Sequence, residues 1–232
     1  MSDAVEPGKE VVNVEEQIKK NLAKLKGRIG APPSNKIATK GKKFTLPSGT
    51  ASTGPLNVVI LDWRWVLAHY PGAFNPNNPQ DPDCFAVGLE KPESGQLAPH
   101  ESIEEPHGED CAVCAKNQWG SDPNGRGKAC KNQLRLLVMA PDADDQTEPL
   151  TLYVSPTALK NFFAYTAELA NVHNLDLIQV VTAIGFDPHE SYPKLTFEKG
   201  DAHAQVEAMW ALKARYQEMV SRPIELKRKE SA

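Results

Sequence analysis

The four cysteines are the residues of this chain whose type and spacing best suit a defined chemistry, the binding of a metal ion. Two residues separate Cys111 from Cys114, Cys130 follows a glycine-rich return, and Cys84 stands upstream. A Cys-x-x-Cys pair can place two thiolates on one tetrahedral ion, and the other two cysteines would complete the set. The spacing therefore predicts one structural Zn²⁺ with Cys84, Cys111, Cys114 and Cys130 as ligands.

Four thiolates would leave no open coordination position on the ion, so such a site stabilises structure and does not activate water. Other interpretations of the cysteines are possible at this point. His107 or His100 could replace Cys84 as a ligand, the thiols could be buried and inert, or Cys111 and Cys114 could form a redox pair. The redox pair is disfavoured because it lies in a loop and not at the strand-to-helix junction of a thioredoxin-like unit.

Basic residues cluster around the last cysteine, and Trp119 lies in the same loop. The cluster consists of Arg126, Lys128, Lys131 and Arg135. Binding of single strands without sequence preference needs cations for the phosphates and aromatic faces on which bases stack. We predict that these residues contact nucleic acid, although Trp119 could equally be a hydrophobic plug against the zinc knuckle.

The longest apolar segment, residues 56–70, is dense in β-branched and aromatic residues and predicts a long strand. With a period of two, one face carries Leu61, Trp63, Trp65 and Leu67, an apolar set typical of core. The opposite face carries Arg64 and Tyr70. We therefore predict that Arg64 and Tyr70 also contact nucleic acid.

The remaining elements predict a β-rich chain. Further strands are expected at Cys84–Leu89, Leu134–Met139, Thr151–Val154, Leu177–Phe186 and Lys194–Phe197. One helix is expected from Thr157 to Ala170, and a second at about residues 201–220 with Trp210 on its buried side. This order favours a β-rich α+β fold, an OB-like partly open antiparallel barrel with an inserted helix, a C-terminal helix and a zinc loop. The zinc loop, residues 84–130, is called the cysteine loop below.

The chain predicts three regions. Residues 1–54 are expected to form a basic amphipathic helix at 14–28 and then a flexible arm. Residues 55–222 are expected to form the nucleic-acid-binding domain, which includes the cysteine loop. Residues 223–232 are expected to form a loose tail. Nine positive charges and no carboxylate lie between Lys19 and Lys43. The arm could therefore add a nonspecific grip on phosphates.

Composition places limits on the class of protein. The 232 residues, of which 40% are hydrophobic, suffice for one main domain. A net charge of −4 does not exclude nucleic acid as a ligand, because the local distribution of charge decides binding. The sequence contains neither a signal-peptide pattern nor a long apolar run, so we expect a cytoplasmic protein without a membrane partner. In a reducing compartment, cysteines favour metal binding over disulfides.

An enzyme is not expected. A nuclease could hold Mg²⁺ with the carboxylates of an acidic run, Asp142, Asp144, Asp145 and Glu148, but these lie between prolines as in a solvated turn. The sequence has no Walker-type phosphate loop, Gly-x-Ser-x-Gly elbow or His-Glu-x-x-His motif. The histidines at 69, 173, 189 and 203 are scattered and are expected to be surface or internally satisfied residues.

Several segments together resemble bacteriophage-type single-stranded-DNA-binding proteins with an OB-like core and a zinc loop, over roughly residues 55–220. Besides Cys84 they are CAVCAKNQWGS (111–121), GKACKN (127–132), RLL (135–137), SPT (155–157), VVT (180–182) and YPKLTF (192–197). The segments of the cysteine loop are the specific part of this resemblance.

The resemblance implies a protein that coats and protects single strands during phage-type DNA replication or recombination, without catalysis. Its partners would be single-stranded DNA and proteins of replication or recombination. It would act in the cytoplasm of an infected bacterial host if the chain is phage-encoded. The alternative is a zinc-stabilised adaptor that binds a polymerase or another viral protein, and duplex DNA or RNA is a further possible ligand.

Overall fold

A computed structural model describes residues 35–72, 80–144, 146–224 and 226. The predicted basic helix at 14–28 and most of the predicted tail lie outside these residues. The strands are β1 (Lys36–Ile37), β2 (Phe44–Thr45), β3 (Ala51–Ser52), β4 (Leu56–His69), β5 (Cys84–Gly88), β6 (Lys131–Met139), β7 (Leu150–Val154), β8 (Val180–Phe186) and β9 (Leu195–Ala202). The α-helices of these described residues are α1 (Leu159–Glu168) and α2 (Val206–Ser221).

Seven of these strands form one mixed sheet in the order β1-β7-β6-β4-β8-β9, with β5 also paired to β4. The successive strands β4, β6 and β7 are antiparallel neighbours, and β8 returns through α1 to lie beside β4. This is a Greek-key order. The sheet curls into a half-barrel that is compatible with an OB-like, partly open barrel. The predicted β-rich class with an inserted and a C-terminal helix is confirmed.

The long strand β4 changes its buried face at a β-bulge between Ile60 and Asp62. Ile60 before the bulge and Trp65 after it both lie in the core cluster that includes side chains of α1. Leu61 lies in a second cluster, under α2. An extra residue exchanges the two faces of a strand, because side chains alternate with a period of two. The prediction that Leu61 shares a face with Trp63 and Trp65 is therefore wrong.

The two helices cover opposite faces of the sheet. Phe162 of α1 is fully buried and meets Trp63 edge to face, with the ring centroids 6.0 Å apart. Met209 and Val220 of α2 pack against β4 and β6. Trp210 is 59% exposed, with the Lys213 ammonium 5.2 Å from its ring, so its predicted burial is wrong. Among the described residues, no helix has the length and apolar character needed to cross a membrane.

Residues 35–54 belong to the folded domain, although the sequence assigned them to a flexible arm. β1 pairs in parallel with β7, and Phe44 is buried and stacks on Phe186 with the ring centroids 4.4 Å apart. Two apolar side chains, Ile37 and Phe44, anchor an otherwise polar segment. The predicted start of the domain near Pro55 is corrected to Asn35 for the described residues.

Candidate metal centre and surrounding basic loop

The end of β4 brings the first and last cysteines together. His69, the last residue of β4, pairs with Cys84 of β5. Its neighbour Ala68 pairs with Lys131, the first residue of β6, which directly follows Cys130. Cys84 and Cys130 therefore flank the end of one strand, which is why cysteines distant in sequence converge.

The turn that carries the other two cysteines is fixed by short hydrogen bonds. The backbone N–H of Cys111 donates to the carbonyl oxygen of Leu97 at 2.9 Å. The buried Asn117 side chain donates through Nδ2 to the carbonyl of Cys111 at 2.7 Å. The N–H of Cys130 donates to the carbonyl of Lys116 at 2.8 Å. These contacts hold the Cys111–Cys114 turn against the start of β6.

All four cysteines line one cavity of about 20 Å³, together with His69 and His107. A cavity of this size has room for a single ion or water molecule. Within the described part of the chain, no three of the cysteine sulfurs lie within 4.8 Å of one another. A closed tetrahedral zinc ion with bonds of about 2.3 Å would hold its sulfurs about 3.8 Å apart. The predicted ligands thus share a cavity, but no three of their sulfurs are as close together as around a bound ion.

Three thiols of this cavity, those of Cys84, Cys111 and Cys130, have raised pKa values. Burial, followed by the neighbouring cysteines, raises the pKa of Cys111 to about 12 and that of Cys130 to about 12. Burial also raises the pKa of Cys84. Four adjacent thiolates repel one another, and a divalent cation removes that repulsion. Because thiols must lose their protons to bind a metal, binding here would release protons.

A second group of ligating side chains adjoins the cavity. His69 Nδ1 lies 2.7 Å from Asp83 Oδ1, and His107 Nε2 lies 3.2 Å from Asp83 Oδ2. The two ring nitrogens are 3.2 Å apart. Burial acts to raise the pKa of Asp83, but the hydrogen bonds and charges of His69 and His107 outweigh it and lower that pKa. Among the described residues, this is the one group of three such side chains with donor atoms within 4.8 Å, and it could hold a metal ion.

The sequence predicts His69 to be a surface or internally satisfied residue, and its ring indeed has a hydrogen-bond partner in Asp83, which sequence reasoning did not identify. A usable signal existed, since Asp83 directly precedes Cys84, one of the predicted metal ligands. His107 was considered as a substitute ligand for Cys84. In the structure His107 joins His69 and Asp83, while its carbonyl oxygen lies 3.8 Å from the Cys114 sulfur.

The predicted nucleic-acid contacts of Arg64 and Arg135 require correction because both side chains are buried. The two residues pair across β4 and β6. Arg64 makes an ion pair with Asp62 at 2.9 Å and donates through Nε to Ser221 Oγ at 3.1 Å. Arg135 donates through NH1 to the carbonyl oxygens of residues 220 and 222, the former at 3.2 Å. Both guanidinium groups bind the C-terminal end of α2 and have a structural role.

The remaining basic residues of the cluster lie on the surface of the cysteine loop or beside it. Lys128 pairs with Glu93 at 3.1 Å, and Lys131 pairs with Asp122 at 2.7 Å. Arg126 is exposed at the tip of the loop. The surface therefore contains cations, of which the two lysines already contact carboxylates.

Two aromatic side chains that were predicted to contact nucleic acid are accessible to solvent. Trp119 is 82% exposed and Tyr70 is 43% exposed. The loop that presents Trp119 turns through Gly120 and Gly127, whose φ angles of 85° and 122° favour glycine. Trp119 is therefore not a plug against the zinc knuckle, and its ring is available to a ligand. Phe74, an aromatic residue that follows Tyr70 in the sequence, lies outside the described residues.

The acidic run does not form a carboxylate cluster among the described residues, which exclude Asp145. Asp144 accepts hydrogen bonds from the Thr147 hydroxyl at 2.6 Å and from the N–H of Gln146 at 3.1 Å. Glu148 accepts from the Asn35 side chain at 3.1 Å. These contacts are those of a capped turn.

Comparison of the chain with protein-family models, with curated proteins and with solved structures found no match to any of them.

Proposed function

We propose that the protein binds single-stranded DNA without sequence preference and without catalysis. The observation that carries this proposal is the exposure of Trp119 within residues 116–131, where four basic residues accompany one carboxylate. Indole rings are mostly buried in folded proteins, so a ring that is 82% exposed beside these basic residues suits a stacking partner. Stacking of a base on an aromatic side chain contributes about 1–3 kcal/mol and tolerates any base.

The Greek-key sheet supports the same function if the half-barrel is an OB fold. OB folds bind oligonucleotides on their second and third strands and on the loops that join strands 1 to 2 and 4 to 5. The corresponding strands here are β6 and β7, and the first of those loops contains the cysteine loop. Tyr153 of β7 has the Lys36 ammonium 4.5 Å from its ring centroid. Tyr70 lies at the end of β4. We infer that a single strand would pass these rings between the sheet and Trp119.

We further propose that Cys84, Cys111, Cys114 and Cys130 hold one Zn²⁺ in a structural role. The donor set suits zinc, because soft thiolates select this ion and four of them close its coordination sphere. The cavity that the four side chains line has room for a single ion. Closure of the sulfurs around the ion would order the cysteine loop and so fix the position of Trp119.

The biological role that fits this activity is the coating and protection of single strands in phage-type DNA replication or recombination. Proteins of those processes would be its partners, and the cytoplasm of an infected bacterium its location. The second candidate is an adaptor that binds a polymerase or another viral protein. The exposed Trp210 on α2 favours that candidate, because it lies on a helix and outside the proposed DNA path.

A pair of tryptophan substitutions tests the proposal. Trp119→Ala should weaken binding to fluorescently labelled oligo-dT by about 5-fold to 150-fold, the loss of one stacked base, when followed by anisotropy. Trp210→Ala is the matched control, since it removes an exposed indole elsewhere, and should leave the affinity unchanged.

Neither substitution should alter the unfolding midpoint much, because both rings are largely exposed. Equal affinities of the wild type and Trp119→Ala would contradict the proposed stacking role. The adaptor function would be favoured by two results together: the wild type does not bind oligo-dT, and Trp210→Ala abolishes binding to a protein partner.

A further inference from the structure

The group His69, Asp83 and His107 has the donor spacing of ligands that share one metal ion. Bonds of about 2.0–2.2 Å from a metal to nitrogen and oxygen place neighbouring donors about 3 Å apart. The three separations in the structure are 2.7, 3.2 and 3.2 Å. Two imidazoles and one carboxylate on one face are also a known set for divalent transition metals.

Hydrogen bonds can also satisfy this arrangement, since each imidazole can donate one N–H to a different oxygen of Asp83. That state leaves two protonated ring nitrogens only 3.2 Å apart. A single cation would bind the lone pairs of all three groups at once.

We propose that His69, Asp83 and His107 bind a second divalent transition-metal ion, distinct from the ion of the four cysteines. The two donor sets differ in kind, because nitrogen and oxygen donors are harder than thiolates. The second ion would have three protein ligands, and 35% of the Asp83 side chain and 28% of the His107 side chain are exposed. Its remaining coordination positions therefore face solvent, and a chelator can reach it.

The two sites would stabilise each other electrostatically. A zinc ion with four thiolates carries a net charge of −2, whereas a divalent ion with one carboxylate and two neutral imidazoles carries +1. The sites are adjacent, because Asp83 precedes Cys84 and both histidines line the cavity of the cysteines. The second site itself does not depend on nucleic-acid binding.

Metal content per chain tests this inference. The full-length protein would be equilibrated with Zn²⁺, passed through a desalting column with or without a brief exposure to a chelator, and analysed by elemental mass spectrometry. The wild type should contain two ions per chain without the chelator and one after it. His69→Ala and His107→Ala should contain one ion under both conditions, and so should Asp83→Asn, which preserves the shape of the side chain.

His189→Ala is the control for adventitious binding by an exposed histidine, and should behave like the wild type. With Co²⁺ in place of Zn²⁺, the thiolate charge-transfer bands should persist in the His69 and His107 variants. If the wild type contains one ion per chain under both conditions, and the variants contain the same number, the proposal of a second site is overturned. Loss of the thiolate bands in folded histidine variants would also overturn it, because the histidines would then belong to the cysteine site.

Discussion

Cys111 and Cys130 are the residues on which the proposed zinc site can be tested most directly, since both line the cavity and burial raises the pKa of each thiol to about 12. The short Cys-x-x-Cys spacing made their pairing predictable from sequence, because the turn between two such cysteines is local. The His69, Asp83 and His107 group was not predictable in this way. Its members come from β4, the segment before β5 and the cysteine loop, and only the pairing of β4 with β5 brings them together.

Substitution of Cys111 should remove the thiolate-bound ion. Cys111→Ser should lower the free energy of unfolding of the zinc-loaded protein by about 4 kcal/mol or more, because a structural ion stabilises only the folded chain. The measurement is urea unfolding of the wild type and the variant, each with zinc and after removal of zinc.

The comparison with metal-free protein separates the ion from the side chain. Removal of zinc should destabilise the wild type strongly and Cys111→Ser little. If zinc stabilises both proteins equally, Cys111 is not a ligand of the stabilising ion.

At the scale of elements, the β-bulge in β4 and the C-terminal end of α2 explain the main errors of the sequence interpretation. The hydrophobic pattern located β4 well, but strict alternation cannot reveal an extra residue between Ile60 and Asp62. Arg64 was expected on the open face opposite Trp63 and Trp65, and Arg135 was expected in the basic cluster around Cys130. That face is instead covered by α2, a helix distant in sequence whose last carbonyl groups accept hydrogen bonds from Arg135.

The anchoring of α2 predicts a stability effect for Arg135. Arg135→Met should lower the free energy of unfolding by about 2–4 kcal/mol, because it leaves buried carbonyl groups without their charged donor. Urea unfolding measures this loss. Arg126→Met is the control and should change stability little, since Arg126 is exposed.

Oligo-dT binding by the folded Arg135→Met protein separates the two roles of the residue. Affinity should stay close to that of the wild type. Unchanged stability with a large loss of affinity would instead indicate that Arg135 contacts DNA directly.

At the scale of the whole molecule, the order of elements along the chain was largely predictable and their arrangement in space was not. The regular alternation and turn residues located the strands of the Greek key. The return of β8 to β4, and the pairing of β1 with β7, depend on contacts between distant segments. Ile37 and Phe44 were not expected in the core because their neighbours are polar.

The proposed function also depends on the whole molecule, because the sheet, the cysteine loop and Trp119 must together form one binding surface. The net charge of −4 means that binding depends on local cations and not on the average field. Binding to phosphates releases counterions, so affinity should fall as salt rises.

The most direct test of the central claim is a titration of the zinc-loaded protein with labelled oligo-dT of about thirty nucleotides, followed by anisotropy at two salt concentrations. Unlabelled duplex of the same length serves as the competitor. We predict binding that weakens with salt and that the duplex competes for poorly. Absence of binding at low salt, or equally effective competition by the duplex, would contradict a single-stranded-DNA-binding function.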